Sequence, residues 1–202
     1  MITLFRKKYK NISDEQLMEF IQRRDSSAFD ELYRRYHTRL LFYFFKMFNR
    51  DEDKSQDFLQ DIFLKIIEKP HLFVSKQRFS SWIFRVAHNM CKNEYRRLDV
   101  RKIVTNEVDP DTVPFDSETE MNATERAIDK NIFENRVTEE LSNLNPEYKS
   151  TFILRYQEEL SIKEIADILD CPLGTIKSRL FQINIKLMDR LKDFDPNRIE
   201  VK

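Results

Sequence analysis

Glycine is nearly absent: the chain of 202 residues holds one, Gly174, beside six prolines, three histidines and two cysteines. So little Gly and Pro argues against a β-rich or loop-rich protein and for helices. One glycine also rules out both common Gly-rich phosphate loops and a nucleophile elbow. The three histidines include no HExxH pair, and Cys91 and Cys171 have no partner at metal-ligand spacing. Two plain thiols fit a reducing, cytoplasmic compartment. No apolar run is long enough to span a bilayer. The opening MITLFRKKYKN is basic but lacks an apolar core after its charges, so it does not read as a signal peptide. Paired carboxylates fall on amphipathic surfaces, where solvation is their default role. Neither an enzyme, a cofactor, a metal nor a small-molecule substrate is expected.

Net charge is also missing, with 35 Lys and Arg against 35 Asp and Glu. The charges are nevertheless segregated. From Lys76 to Lys102 there are eight cations against Glu94 and Asp99, and from Ile103 to Lys130 eight acids against Arg126 and Lys130. From Pro172 to Lys192 there are five cations against Asp189. Local fields, basic then acidic then basic, matter more than their sum.

Helical periodicity marks the elements. Ser13 and Gln16 form a capping box before Leu17, Phe20 and Ile21. Ser27 is the expected cap of a helix carrying Leu32, Tyr36, Leu40, Phe44 and Met47. It is apolar almost all round at Leu41–Phe45, which makes it central to its bundle. In SQDFLQDIFLKIIEK the buried side is Phe58, Leu59, Ile62, Phe63 and Ile66, with Asp57, Gln60 and Asp61 on other faces. RFSSWIFRVAHNMCKNEYRRL has Ser80 or Ser81 as cap and Ile83, Val86, Ala87 and Met90 inward. Its other side gathers Trp82, Arg85, His88, Asn89, Lys92, Asn93, Arg96 and Arg97, amides and cations that suit base edges and phosphates. A solvated amphipathic helix is the plain alternative, and Trp82 borders the apolar stripe. Periodicity fails from Asp99. The acidic DPDTVPFD reads as part of a linker. Helicity then resumes, and Asn145 with Pro146 starts a helix expected to bury Tyr148, Phe152, Ile153 and Tyr156.

The last stretch, Leu160–Leu187, reads as two helices with a tight turn. Ser161 and Glu164 form a second capping box, and Ile162, Ile165, Ala166 and Leu169 share a face. Asp170-Cys171-Pro172 breaks the helix, and Gly174 stands where a side chain could obstruct a close backbone approach. Ile176, Leu180, Ile183 and Leu187 form the stripe of the second helix, with Thr175, Lys177, Ser178, Arg179 and Gln182 turned elsewhere. This is the helix-turn-helix arrangement for the major groove, although hairpins that only pack can look alike.

AFDELYRRY, SQDFLQDIFLKII and FSSWIFRVAHNMCKNEYRR resemble successive segments of region 2 of the extracytoplasmic-function (ECF) group of bacterial sigma factors. LNPEYKSTFILRYQEELSIKEIADILDCPLGTIKSRLF resembles their region 4. The resemblance implies an all-α protein of two small helical domains. Region 2 would span 10–100, a flexible acidic linker 101–126 and region 4 127–192. It further implies an RNA polymerase sigma factor that directs the core enzyme to promoters. A stand-alone helix-turn-helix regulator and a protein-binding adaptor are the alternatives from the residues themselves.

Residue by residue, the resemblance places Asp57, Gln60, Asp61 and Lys65 against the β′ clamp helices of the polymerase. It places Trp82, His88, Asn89, Lys92, Asn93, Arg96 and Arg97 at the −10 element. It places Arg155, Thr175, Lys177, Ser178, Arg179, Phe181 and Gln182 at the −35 element, with Phe181 also a plausible core residue. Gln182 and Asn184 stand where the family often has arginine, which implies fewer phosphate contacts. The β flap, promoter DNA and an anti-sigma factor are the further partners implied. A linker of about 28 residues extends to roughly 90 Å, enough for two elements about 25 base pairs apart at about 3.4 Å each.

Overall fold

The computed structural model describes residues 9–105, 136–137 and 139–192, without the side chains of 102–105. Among the described residues there are helices and no strand. Helix α1 (Asp14–Gln22) opens on the Ser13/Gln16 capping box, as the sequence predicts. Helix α2 (Ser26–Met47) is capped by Asp25, whose carboxylate accepts from the Ser27 and Ala28 N–H groups; Ser27 already lies inside the helix. Asp51 caps α3 (Glu52–Glu68), and a 3₁₀ turn at Pro70–Leu72 follows. Helix α4 (Phe79–Thr105) begins ahead of Ser80 and Ser81, because the Phe79 N–H donates to the Glu15 carboxylate at 2.9 Å. It runs past Asp99 to Thr105, so the first residues of the expected linker are helical. The rest of 101–126, like Ile132 and Phe133, lies outside the described residues.

Helix α2 is the axis. Its buried Leu32, Tyr36, Leu40, Tyr43, Phe44 and Met47 account for most of the apolar sequence, since α1, α3, α4 and a helix of the second half all pack on it, while Phe42 in the all-round apolar run is 40% exposed. Aromatic rings fill the space between elements: Phe44 and Phe58 meet at 5.6 Å and Tyr36 and Phe79 at 5.0 Å. Edge-on contacts of this kind add about 0.5–1.5 kcal/mol to area burial.

The second half holds α5 (Pro146–Tyr156), α6 (Ile162–Leu169) and α7 (Leu173–Arg190). Asn145 caps α5 and the Ser161/Glu164 box caps α6, both as expected. Ile153, Leu154, Ile165, Ile168, Ile176, Leu180 and Ile183 form its interior. The expected inward face of α5 is only partly right. Tyr156 is 47% exposed and Tyr148 half-buried, while Lys149, Ser150 and Thr151 are buried. The reason is that α5 faces two ways, toward α7 and toward α2. One apolar cluster runs through both halves, and α6 also packs against α4. A Cβ added at Gly174 would meet nothing within 4 Å, so no intramolecular contact requires that glycine.

Candidate nucleic-acid interface

On α4, Asn89, Lys92, Asn93, Arg96 and Arg97 are exposed, at the three- and four-residue spacings that make one helical stripe. Arg97 bonds Glu94 at 2.9 Å, and the same buried carboxylate takes Lys54 at 2.9 Å; burial pushes the Glu94 pKa up, but the two cations outweigh it and hold the carboxyl below its usual range. Two expected members of the stripe are elsewhere. Trp82 is tucked edge-on against Phe73 at 5.4 Å and is 9% exposed. His88 is 3% exposed. Its Nδ1 lies 3.2 Å from Ser150 Oγ, which lies 2.8 Å from the Tyr43 hydroxyl, and its Nε2 has no hydrogen-bond partner. Burial lowers the His88 pKa, and the Lys92 and Arg179 charges push the same way against the pull of Glu147. Periodicity placed both on the polar side of α4; long-range packing from the 3₁₀ turn and from α5 covers them.

Region by region, α4 and the α6–α7 turn face each other. Arg85, His88, Asn89 and Lys92 form one wall of a cleft of about 710 Å³, and Ala166 through Pro172 form the other. The Arg85 Nε–H donates to the Asp167 carbonyl at 3.2 Å.

On α7, Lys177, Ser178 and Gln182 are exposed and Thr175 is half-buried, with the Ser178 hydroxyl donating to the Thr175 carbonyl. Arg179 is half-buried: its guanidinium pairs with Glu147 at 3.0 Å and lies 6.0 Å from the Tyr148 ring centre. Phe181 is 66% exposed and so is not a core residue. With Ile185 and Met188, exposed to 51% and 74%, it leaves an apolar strip uncovered. The Tyr148 and Tyr156 hydroxyls donate to Gln182 and Asn184 at 2.5 and 2.8 Å. That explains why α5 keeps both tyrosines outward. Arg155 is exposed at the end of α5 and donates to the Leu160 carbonyl.

On α3, Asp57, Gln60, Asp61 and Lys65 are all exposed. Leu64 and Ile67, exposed to 44% and 51%, stand on the same side, beside a groove that Tyr33 and Phe63 help line. The sequence reading named neither leucine nor isoleucine as functional. The signal was present: both lie off the Phe58-Leu59-Ile62-Phe63-Ile66 stripe, three and four residues on from Gln60, Asp61 or Phe63.

Two helical modules each show solvent a helix that carries amides and cations. Among the described residues, no group of three or more His, Cys, Asp or Glu could hold a metal ion, and no helix is long and apolar enough to cross a membrane. Residues 32–101 match the family described as Sigma-70 region 2, and residues 134–184 match Sigma-70, region 4. The RNA polymerase sigma-H factor of Pseudomonas aeruginosa is 30% identical over 172 residues, 84% of this chain and 89% of that one. The ECF RNA polymerase sigma-E factor of Haemophilus influenzae is 26% identical over 186 residues, 91% of this chain and 97% of that one. Two solved structures share the fold. One is the sigma factor RpoE in complex with the anti-sigma factor NepR from Bartonella quintana, with a TM-score of 0.65 and 20% identity over 81% of this chain and 96% of that one. The other is CnrH in complex with the cytosolic domain of CnrY, with a TM-score of 0.64 and 21% identity over 90% and 98%.

The chain belongs to the sigma-70 family of RNA polymerase sigma factors, in its ECF group. It directs RNA polymerase core to promoters and is not an enzyme: sigma factors are non-catalytic, DNA-binding subunits.

Proposed function

We propose that three helices divide the work. The α3 face of Asp57, Gln60, Asp61 and Lys65 docks on the β′ clamp helices, with Leu64 and Ile67 supplying apolar contact. The observation that carries this is that Leu64 and Ile67 are exposed on the same helix as these polar residues, beside a groove that Tyr33 and Phe63 help line. The α4 stripe of Asn89, Lys92, Asn93, Arg96 and Arg97 engages the −10 element, with His88 joining it if α5 withdraws. Trp82 supports the helix from beneath. Arg155, Thr175, Lys177, Ser178 and Gln182 meet the −35 element. Arg179 orients α5 and α7 through Glu147 as well as facing DNA, and Phe181 contributes apolar contact at the same surface.

The strip that continues through Ile185 and Met188 fits an apolar partner such as the β flap. The two solved structures described above are complexes with an anti-sigma factor or a partner's cytosolic domain; the same class of partner is proposed for this chain, acting in the cytoplasm where polymerase works. Gel filtration of the chain with core polymerase tests the reading. Co-elution that Asp61→Arg weakens supports it, and separate elution at micromolar concentration counts against it.

A further inference from the structure

Helix α5 is tied to both flanks of α7 by tyrosine hydroxyls. Tyr148 donates to Gln182 Oε1 at 2.5 Å, and Tyr156 donates to Asn184 Oδ1 at 2.8 Å. Between the two amides runs the buried stripe of Ile176, Leu180 and Ile183. Residues 182 and 184 are two apart, about 200° around the helix, so they stand on opposite flanks of that stripe. Arg179, three residues before Gln182, stands on the Tyr148 flank. Its guanidinium pairs with Glu147 at 3.0 Å and lies 6.0 Å from the Tyr148 ring centre. Tyr148 thus touches two side chains of the −35 set at once.

The interior beneath α5 is filled by Ile153 and Leu154, so the two hydroxyls act at the surface. Both amides are exposed. A glutamine amide that is free to turn reads adenine with both of its groups, accepting from N6 and donating to N7. In Gln182 the oxygen is turned toward α5 and one of its lone pairs is occupied, while the amino group keeps both hydrogens. An amide held in this way offers donors outward and its acceptor inward. The major-groove edges that match it are built of acceptors: guanine N7 and O6, or thymine O4. Ordering this long side chain before DNA arrives also lowers the entropy lost on binding.

We propose that Tyr148 is a positioning residue for −35 recognition. Its hydroxyl commits the Gln182 oxygen, so that Gln182 presents an amino donor to an acceptor edge in place of the two-sided contact with adenine. This rests on the assignment of Gln182 to the −35 surface above.

The test uses the full chain assembled with core polymerase. Holoenzyme selects duplexes from a library randomised at the −35 element, and wild type is compared with Gln182→Ala, Tyr148→Phe and Tyr156→Phe. Phenylalanine keeps each ring and removes only the hydroxyl, and Tyr148 is half-buried and Tyr156 47% exposed, so the fold tolerates both changes. At the position that Gln182→Ala alters, wild type should enrich guanine or thymine. Tyr148→Phe should lower that enrichment about tenfold in favour of adenine, with other positions unchanged. Tyr156→Phe should leave the position as in wild type, because Asn184 lies on the other flank. Enrichment of adenine by wild type overturns the proposal, as does an unchanged preference in Tyr148→Phe. Equal relaxation in Tyr156→Phe also overturns it, since loosening of α5 from α7 would then be the cause. If Gln182→Ala alters no position, the assignment of Gln182 to the −35 surface fails as well. If Gln182→Ala alters one and Tyr148→Phe does not, the positioning role alone fails.

Discussion

Arg39 and Glu158 stand 119 residues apart in sequence and meet through two hydrogen bonds, 2.8 and 2.5 Å long, to a single carboxylate oxygen. The acid is nearly buried, whereas the guanidinium side chain is 39% exposed and lies over the rings of Tyr36 and Phe84. Burial raises the Glu158 pKa and Arg39 opposes the rise. This one pair ties the axis of region 2 to the end of α5. A double-mutant cycle measures it: Arg39→Glu and Glu158→Arg each destabilise by about 2 kcal/mol in urea unfolding, and the swapped pair recovers about 1 kcal/mol. Strict additivity would show that the two side chains do not interact in solution.

His88 should make the packing of α4 against α5 sensitive to acid. Its folded pKa lies below the usual value because burial disfavours the imidazolium. Facing it are Ser150 and Glu147 from α5, Tyr43 from α2, Lys92 from α4 and Arg179 from α7. The buried form binds fewer protons than the exposed form below about pH 6.5. Stability contributed by the neutral ring is therefore complete above that pH and falls as the pH drops through it. Glu158, with a raised pKa, acts with the opposite sign at lower pH, so the clean comparison is in a Glu158→Gln background. There, exchange of residues 82–92 should accelerate relative to its intrinsic rate as the pH falls from about 7.5 to about 5.5, and His88→Gln should flatten the response. An unchanged profile in His88→Gln would assign the sensitivity to another group.

Local signals in the sequence were reliable where the cause was local. Both capping boxes, the Asn145–Pro146 start and the all-apolar middle of α2 follow from neighbours in the chain, and the structure has them. What sequence reading missed depends on remote partners. Glu15 sets the start of α4 in place of a serine, and Phe73 covers Trp82. Lys149 and Ser150 turn inward because Asn49 and Tyr43 face them. Phe181 has an apolar side chain but sits off the Ile176-Leu180-Ile183 stripe, so helix phase placed it outside more surely than hydropathy placed it inside. The residues proposed to touch polymerase and DNA were legible chiefly through family resemblance, since polar faces alone cannot distinguish a partner from water.

Asp61 is exposed on α3, so a charge reversal there leaves the fold intact. Asp61→Arg should weaken core binding about tenfold in a titration with labelled core, with unfolding midpoint unchanged. Leu64→Ala should weaken it by a similar factor if the apolar contact is real, since about 1–2 kcal/mol of side-chain burial is lost.

Gln182 and Lys177 offer a contrast within one helix. Gln182→Ala should reduce discrimination between −35 variants by about 1–3 kcal/mol if its amide reads a base. Lys177→Ala should weaken all sequences alike and lower the salt slope by about one. Holoenzyme binding to a panel of −35 substitutions, at several salt concentrations, separates the two roles.

Transcription from a genomic fragment library with purified core polymerase tests the central claim most directly. The account predicts discrete start sites only when chain and core are both present, with the −10 and −35 sequences protected together about 25 base pairs apart. Specific protection by the chain alone, with no polymerase association and no new start sites, would contradict it.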